Sequence, residues 1–385
     1  MSRVKRVAAH LKRFLLLYSI LALAIGLAAG YMFRGFFATH KALVRDLVVL
    51  FAILTIYPSM IQLKIGRMGD ALRRVKPLAV GLLMIFVVTP LIAMGLATLL
   101  PRKIALGYVL LSTVPSSSAS IGYVLICGGN LELALALRLL SIPGAFIAVP
   151  AYTAVYAAMA SVPVPLATIL ESLAITILTP LAAGQLTRYL IVHRRARRVL
   201  ACPGGDDRYP CTRLKSEIRI RDVSEAHSLI SRIEACIVRR LEEATKPHLS
   251  LLTMVSMLIL MALVIASKAM LMITRPLLAL EIIGVEEAGL LAALLLVTLV
   301  DLALRMPFED HAAVAFLSPT KNVGIAAAVA MTAFGAETVL PIALFPVIQA
   351  PTMIAYLQAM PVVKRLFERT RVQRVEARVV DGGRG

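Results

Sequence analysis

Pro115-Ser116-Ser117-Ser118-Ala119-Ser120 interrupts an apolar run that is otherwise long enough to cross a bilayer. Ser318-Pro319-Thr320-Lys321-Asn322 does the same to a second run, far along the chain. Lipid offers no partner to a freed backbone N–H or C=O. A helix broken at membrane depth therefore survives only where the break faces protein or a water-filled cavity. Two such breaks, one in each half of a chain, point to a solute site near the bilayer midplane.

Around these breaks the chain is mostly membrane. Apolar residues make up 59% of its 385 residues, and the mean hydropathy is +0.84. A spanning helix needs ~20 mostly apolar residues. Ten stretches qualify, at roughly 14–33, 42–63, 77–100, 105–127, 131–157, 165–191, 249–273, 286–306, 311–334 and 337–360. The expected fold is an all-α membrane protein. Spans 1–6 fill residues 1–191, a cytoplasmic insertion fills 192–248, spans 7–10 fill 249–360, and a basic tail fills 361–385. Spans 1–5 and 6–10 form two halves. Five is odd, so the second half enters from the opposite face, which is the arithmetic of an inverted repeat. The fourth span of each half carries the break. Proline leads to glycine in both, from Pro115 to Gly122 and from Pro319 to Gly324, and these four residues are expected to shape the breaks.

The net charge of +19 would suit nucleic acid, but its distribution argues against that partner. Lys and Arg alternate with the spans. Thirty-one fall on one side, in the N-terminus, the loop after span 2, the insertion, the tail and at Arg305. Six fall on the other: Arg34, Lys41, Arg102, Lys103, Lys268 and Arg275. The positive-inside rule puts both termini in the cytoplasm of a cell (plasma) membrane protein. The basic N-terminus and the first apolar run look like a signal peptide, but the run exceeds a typical h-region of ~7–15 residues and reads as an uncleaved first span.

In the insertion, Ile218 and Ile220 alternate with charges as in a short strand. Ala226, Leu229, Ile230, Ile233, Ile237 and Leu241 then recur with the period of an amphipathic helix. Cys202, Cys211 and Cys236 lie near His193, His227 and His248, but without a C-x-x-C pair they make no zinc pattern. No disulfide framework, metal or cofactor is expected. The insertion reads as a structural or regulatory appendage whose partner the sequence does not name.

Lys321, inside the second break, and Arg138, about two turns into span 5, are the charges that need a reason. Intramembrane cations usually face the bundle interior and mark a solute or proton path. The structural alternative is an ion pair with Asp301, the one acid placed well inside a span, for which Arg305 competes. Ser116, Ser117, Ser118, Ser120, Thr320 and Asn322 are expected to line a solute cavity, and a small anion fits such polar helix ends. There is no H-E-x-x-H, P-loop or G-x-S-x-G, so the chain does not read as an enzyme.

The breaks resemble those of the superfamily that joins bile acid/sodium symporters to arsenite-efflux permeases. The symporter pattern P-x4-S-x8-G-[ND]-x2-L reads here as Pro115, Ser120, Gly129, Asn130 and Leu133. The pattern N-x-G-[LI]-A reads as Asn322, Gly324, Ile325 and Ala326. Phe86 and Pro90 in span 3, and Pro341, Ala343, Leu344 and Phe345 in span 10, are also family-like. The resemblance implies ten helices in panel and core domains, with spans 4 and 9 crossing at their breaks. It covers most of the membrane domain and leaves out the insertion and the tail.

The departures fall on the side chains that hold two sodium ions in those symporters. Of the first site only Ser120 is kept; Ile121, Ala134, Arg138 and Leu317 stand at its other positions, and Ile85 and Lys321 replace the glutamines of the second. Two fixed cations thus stand where the resemblance implies bound ones, which suggests sodium-independent transport. Arginine stays charged, whereas a buried lysine can lose its proton near neutral pH, so Lys321 is the expected coupling residue. The arsenite branch is matched at Tyr57-Pro58 and Ala350-Pro351, but its cysteine and glutamate are Ser116 and Gly324 here. The expected function is alternating-access transport of a small organic anion, proton-coupled or uncoupled. Arsenite or antimonite efflux is the alternative substrate reading. A membrane sensor signalling through 192–248 is the alternative of another class.

Overall fold

The computed structural model describes residues 3–61, 74–117, 119–160, 165–201 and 247–382. Among these, almost everything is helix and no strand occurs. The main helices are α1 (Leu15–Met32), α2 (Lys41–Ile61), α3 (Val75–Leu99), α4 (Arg102–Thr113), α5 (Ser120–Ile126) and α6 (Leu131–Ala160). They continue with α7 (166–201), α8 (Pro247–Ser267), α9 (Pro276–Ala303), α10 (Phe308–Leu317), α11 (Val323–Ala333) and α12 (Ala336–Gly382). Six of the described helices are long and apolar enough to cross a membrane, running over Val75–Leu99, Leu131–Met159, Leu166–Leu190, Pro247–Ser267, Pro276–Ala303 and Ala336–Glu368. The chain is an all-α membrane protein. The strand and amphipathic helix expected within the insertion lie outside the described residues.

Small residues set the helix packing. In α1, Gly26 and Gly30 are four apart, and α8 lays Ala262 and Ala266 against them: a Cβ on Gly26 would stand 2.7 Å from the Ala262 carbonyl oxygen. Helices in lipid associate through such close backbone approach. The alanine-rich α11 is buried from Val323 to Met331, and a Cβ on Gly324 would stand 3.0 Å from the Ala52 carbonyl oxygen of α2. Gly324 therefore serves helix packing. Around Gly122, within α5, a Cβ would meet nothing, so no contact there demands glycine.

Two π turns, Met84–Val88 in α3 and Ala174–Leu178 in α7, each run into a Thr-Pro pair, Thr89-Pro90 and Thr179-Pro180. Proline has no N–H and its ring crowds the carbonyl four residues earlier, which widens the preceding turn. In α3 the Thr89 N–H bonds the Met84 carbonyl, and the Thr89 hydroxyl donates to the same oxygen at 2.7 Å.

Two expectations about acids need correction. Asp301 pairs with neither Arg138, Lys321 nor Arg305. After α9 the chain reverses at Arg305, whose φ is 61°, and the Met306 N–H bonds the Asp301 carbonyl at 2.9 Å. That turn folds α10 back onto α9 and brings His311 Nδ1 to 2.7 Å from Asp301 Oδ2, with both side chains fully buried. His311 Nε2 in turn lies 3.1 Å from the Tyr356 hydroxyl of α12. Asp301 is also not the one acid well inside a span. The helix expected from 286 begins at Pro276, which places Glu286 a full ten residues inside α9, fully buried.

Candidate solute site at the helix crossing

Breaking a helix orphans the last carbonyls of one piece and the first N–H groups of the next. Here the two breaks satisfy each other. The stretch after α4 and the stretch after α10 run antiparallel, pairing Ser116 with Lys321. The Asn322 N–H bonds the Pro115 carbonyl at 2.9 Å, and the Ser117 N–H bonds the Thr320 carbonyl at 3.2 Å. Side chains satisfy several more. The Ser116 hydroxyl donates to the Leu317 carbonyl at 2.7 Å and that of Thr320 to the Phe316 carbonyl at 2.6 Å. Asn322 Oδ1 caps α11 by accepting the Ile325 N–H. The hydroxyls of Ser120 and Thr320 meet across the crossing. From α6, the Ser141 hydroxyl accepts the Ser116 N–H at 3.3 Å and donates to the Arg138 carbonyl at 2.6 Å.

This accounting divides the polar residues picked out in the sequence. Ser116, Ser120 and Thr320 are buried and hold the crossing together. Ser117 and Asn322 are half-buried and keep a face toward open space. Ser118 lies outside the described residues. Pro115 supplies a carbonyl to the pairing, and Pro319 sits in the second break, which prevents α10 from running on into α11.

Lys321 is buried, with 2% of its surface exposed. Its ammonium donates to the Ile85 carbonyl at 3.1 Å. That carbonyl is available for a local reason. In the π turn the Thr89 N–H has gone to Met84, and the next residue, Pro90, has no N–H to offer. The Lys321 backbone N–H bonds Gln349 Oε1 of α12 at 3.0 Å. Arg138 is also buried, one turn before Ser141 on α6. Among the described residues, no ion pair or hydrogen bond engages its guanidinium, and no acid pairs with Lys321.

Gln349 and Ser141 were not singled out in the sequence, and Pro90 was noted only as family-like. Thr89-Pro90 was the readable signal for a freed carbonyl. Gln349 stands out only as an amide between Pro346 and Pro351 of α12. One consequence is testable. Pro90→Ala returns an N–H to the Ile85 carbonyl and takes it from Lys321. Losing a hydrogen bond to a charged group costs about 1.5–3 kcal/mol. We expect solute flux to fall about tenfold or more while thermal stability holds or rises. Unchanged flux would show that the Ile85 contact is incidental.

The positions that resemble sodium sites do not suit sodium. Ile121, Ala134 and Leu317 bring no side-chain oxygen, Arg138 and Lys321 bring positive charge, and the Ile85 carbonyl already holds an ammonium. The crossing instead holds the buried Lys321 and the half-buried Ser117 and Asn322, with Arg138 buried one turn from Ser141 on α6, a polarity that suits an anion.

No curated protein matches the chain closely. Residues 47–202 match the family model described as "Sodium Bile acid symporter family". The matched stretch contains the first break and Arg138; the second break and Lys321 lie beyond it. The match and the six long apolar helices together support a membrane transporter of the bile acid/sodium symporter superfamily.

Proposed function

We propose that this protein is a secondary transporter of a small organic anion, working by alternating access, in which Arg138 and Lys321 do the electrostatic work that bound sodium does in the symporters. The reading includes ten spans in two inverted halves, both termini in the cytoplasm of a plasma membrane protein, and a cytoplasmic appendage over 192–248. One observation carries it: the Lys321 ammonium lies buried at the crossing, on the Ile85 carbonyl, with no acid beside it among the described residues. Such a cation is costly in lipid surroundings and needs a compensating role. A solute anion at Ser117 and Asn322 supplies its counter-charge during transport. The arsenite reading is less favoured, because Ser116 offers no thiol and its hydroxyl is bound to the Leu317 carbonyl.

In this reading Lys321 carries the coupling proton. Protonated, it attracts the anion; neutral, it releases it. Anion affinity therefore falls as pH rises. The test reconstitutes the protein in liposomes and follows labelled taurocholate, succinate and arsenite across a pH series. For the solute that is carried, wild-type uptake is expected to decline toward alkaline pH, and Lys321→Gln to show a flat profile. An equally steep decline in that variant would remove Lys321 from the coupling step.

A further inference from the structure

At the far end of α11 from the crossing, about 16 Å away along its 11 residues, the described residues line an open cavity of about 640 Å³. The connection between α1 and α2, residues 266–271 and the Gly335–Ala336 link into α12 form its walls. In the proposed topology this end faces outward. Four cations line it, Arg34, Lys41, Arg45 and Lys268, and no acid does. Two acids stand nearby. Asp46 lies 3.1 Å from Arg45 Nε, and Glu337 lies 3.5 Å from Lys268 Nζ while also meeting Lys103. Arg34 and Lys41 form no ion pair among the described residues. The remaining wall is apolar, with Phe37, Val44 and Met331.

The scarcity of cations on this face makes their gathering informative. Of the six Lys or Arg that the charge pattern assigns to it, Arg34, Lys41 and Lys268 all line this one cavity. A concave site lined by one sign of charge focuses its field and concentrates counter-ions. A volume of this size lies within the usual range of small-molecule sites, ~300–1,000 Å³.

We infer that this cavity is a binding site for the acidic head of an amphiphilic anion, its carboxylate, sulfonate or phosphate between Arg34 and Lys41 and its apolar body along Phe37, Val44 and Met331. The anion comes either from solution or from an acidic lipid of the surrounding leaflet. Binding here stands apart from the transport reading, since it requires no passage through the crossing.

The chain contains no tryptophan, so Phe37→Trp gives the full-length protein a single reporter in the cavity wall, and Ala38→Trp a second should the first fold poorly. In phosphatidylcholine nanodiscs, added taurocholate is expected to change the emission saturably. Arg34→Gln with Lys41→Gln in the same background is expected to weaken that response about tenfold, because two exposed charge contacts are lost. With phosphatidylglycerol in the discs, a lipid occupant shifts the emission before any taurocholate is added, and the double variant abolishes the shift. Either response, lost in the double variant, establishes the anion site and names its source. Emission that ignores both anions, or that responds equally in the double variant, overturns it. Because the signal reports on the cavity and not on flux, a failure here leaves the transport reading standing, and a loss of flux leaves this site standing.

Discussion

Gly107→Val is expected to lower stability by about 3 kcal/mol or more. Gly107 lies in the middle of α4, and a Cβ there would fall on the backbone carbonyl of Thr338 in α12, well inside contact distance. The obstacle is backbone, so no side-chain rotation relieves it, and α4 must move off α12. Overpacking typically costs about 1–3 kcal/mol, and a clash with main chain belongs at or above the upper end. Set against a total stability of about 5–15 kcal/mol, that loss is large. The α4 backbone also leads directly into the first break, so its displacement would unseat the pairing with Lys321. Gly95→Ala in α3 is the control, because nothing stands within 4 Å of a Cβ there. In a helix that change is expected to be neutral or to stabilise by up to ~1 kcal/mol. Thermal unfolding in detergent distinguishes the two. A Gly107→Val protein as stable as wild type would mean that α4 and α12 do not approach this closely.

The second large effect is functional. Lys321→Met is expected to reduce flux by about a hundredfold or more while leaving the protein as stable as wild type. Methionine keeps the length and removes the charge. Burying a lysine in a membrane helix costs roughly 2.5–3.5 kcal/mol, which the substitution relieves. The orphaned Ile85 carbonyl costs about 1–3 kcal/mol in return. The two nearly cancel, so stability moves little. In the proposed function flux would lose both the attraction for the anion and the proton carrier, and two decades correspond to only about 2.7 kcal/mol. A purely structural lysine predicts the opposite split, a lower unfolding temperature with flux falling only in proportion to the folded protein.

What could be read in the sequence followed from contradictions with lipid. Four serines beside a proline, and a lysine and asparagine beside another, have no place in a bilayer-facing helix, so the two breaks at 115–120 and 318–322 were legible, as were the buried positions of Arg138 and Lys321. The division of labour within the breaks was not. Whether a serine hydroxyl serves a solute or a nearby carbonyl depends on which helix end it faces, and only the pairing of the two stretches showed that Ser116, Ser120 and Thr320 face inward on the crossing itself. Asp301 was misassigned because its partner depends on a tight reversal at Arg305, a positive-φ residue that is not glycine. Glu286 was missed because Glu281, Glu286 and Glu287 make the first part of α9 look like a loop. Once inside the helix, Glu287 accepts a hydrogen bond from the Thr352 hydroxyl at 2.8 Å, while neither oxygen of Glu286 has a hydrogen-bond partner among the described residues. The acceptor that holds Lys321 is a backbone carbonyl, invisible to side-chain pattern; only the proline that frees it could be seen.

The most direct measurement compares solute flux into proteoliposomes with an inward sodium gradient, with choline replacing sodium, and with sodium equal on both sides. On the proposal that Arg138 and Lys321 supply the fixed positive charge at the crossing, all three rates should coincide at a given pH. Uptake that stops without sodium, or that follows its gradient, would contradict the account.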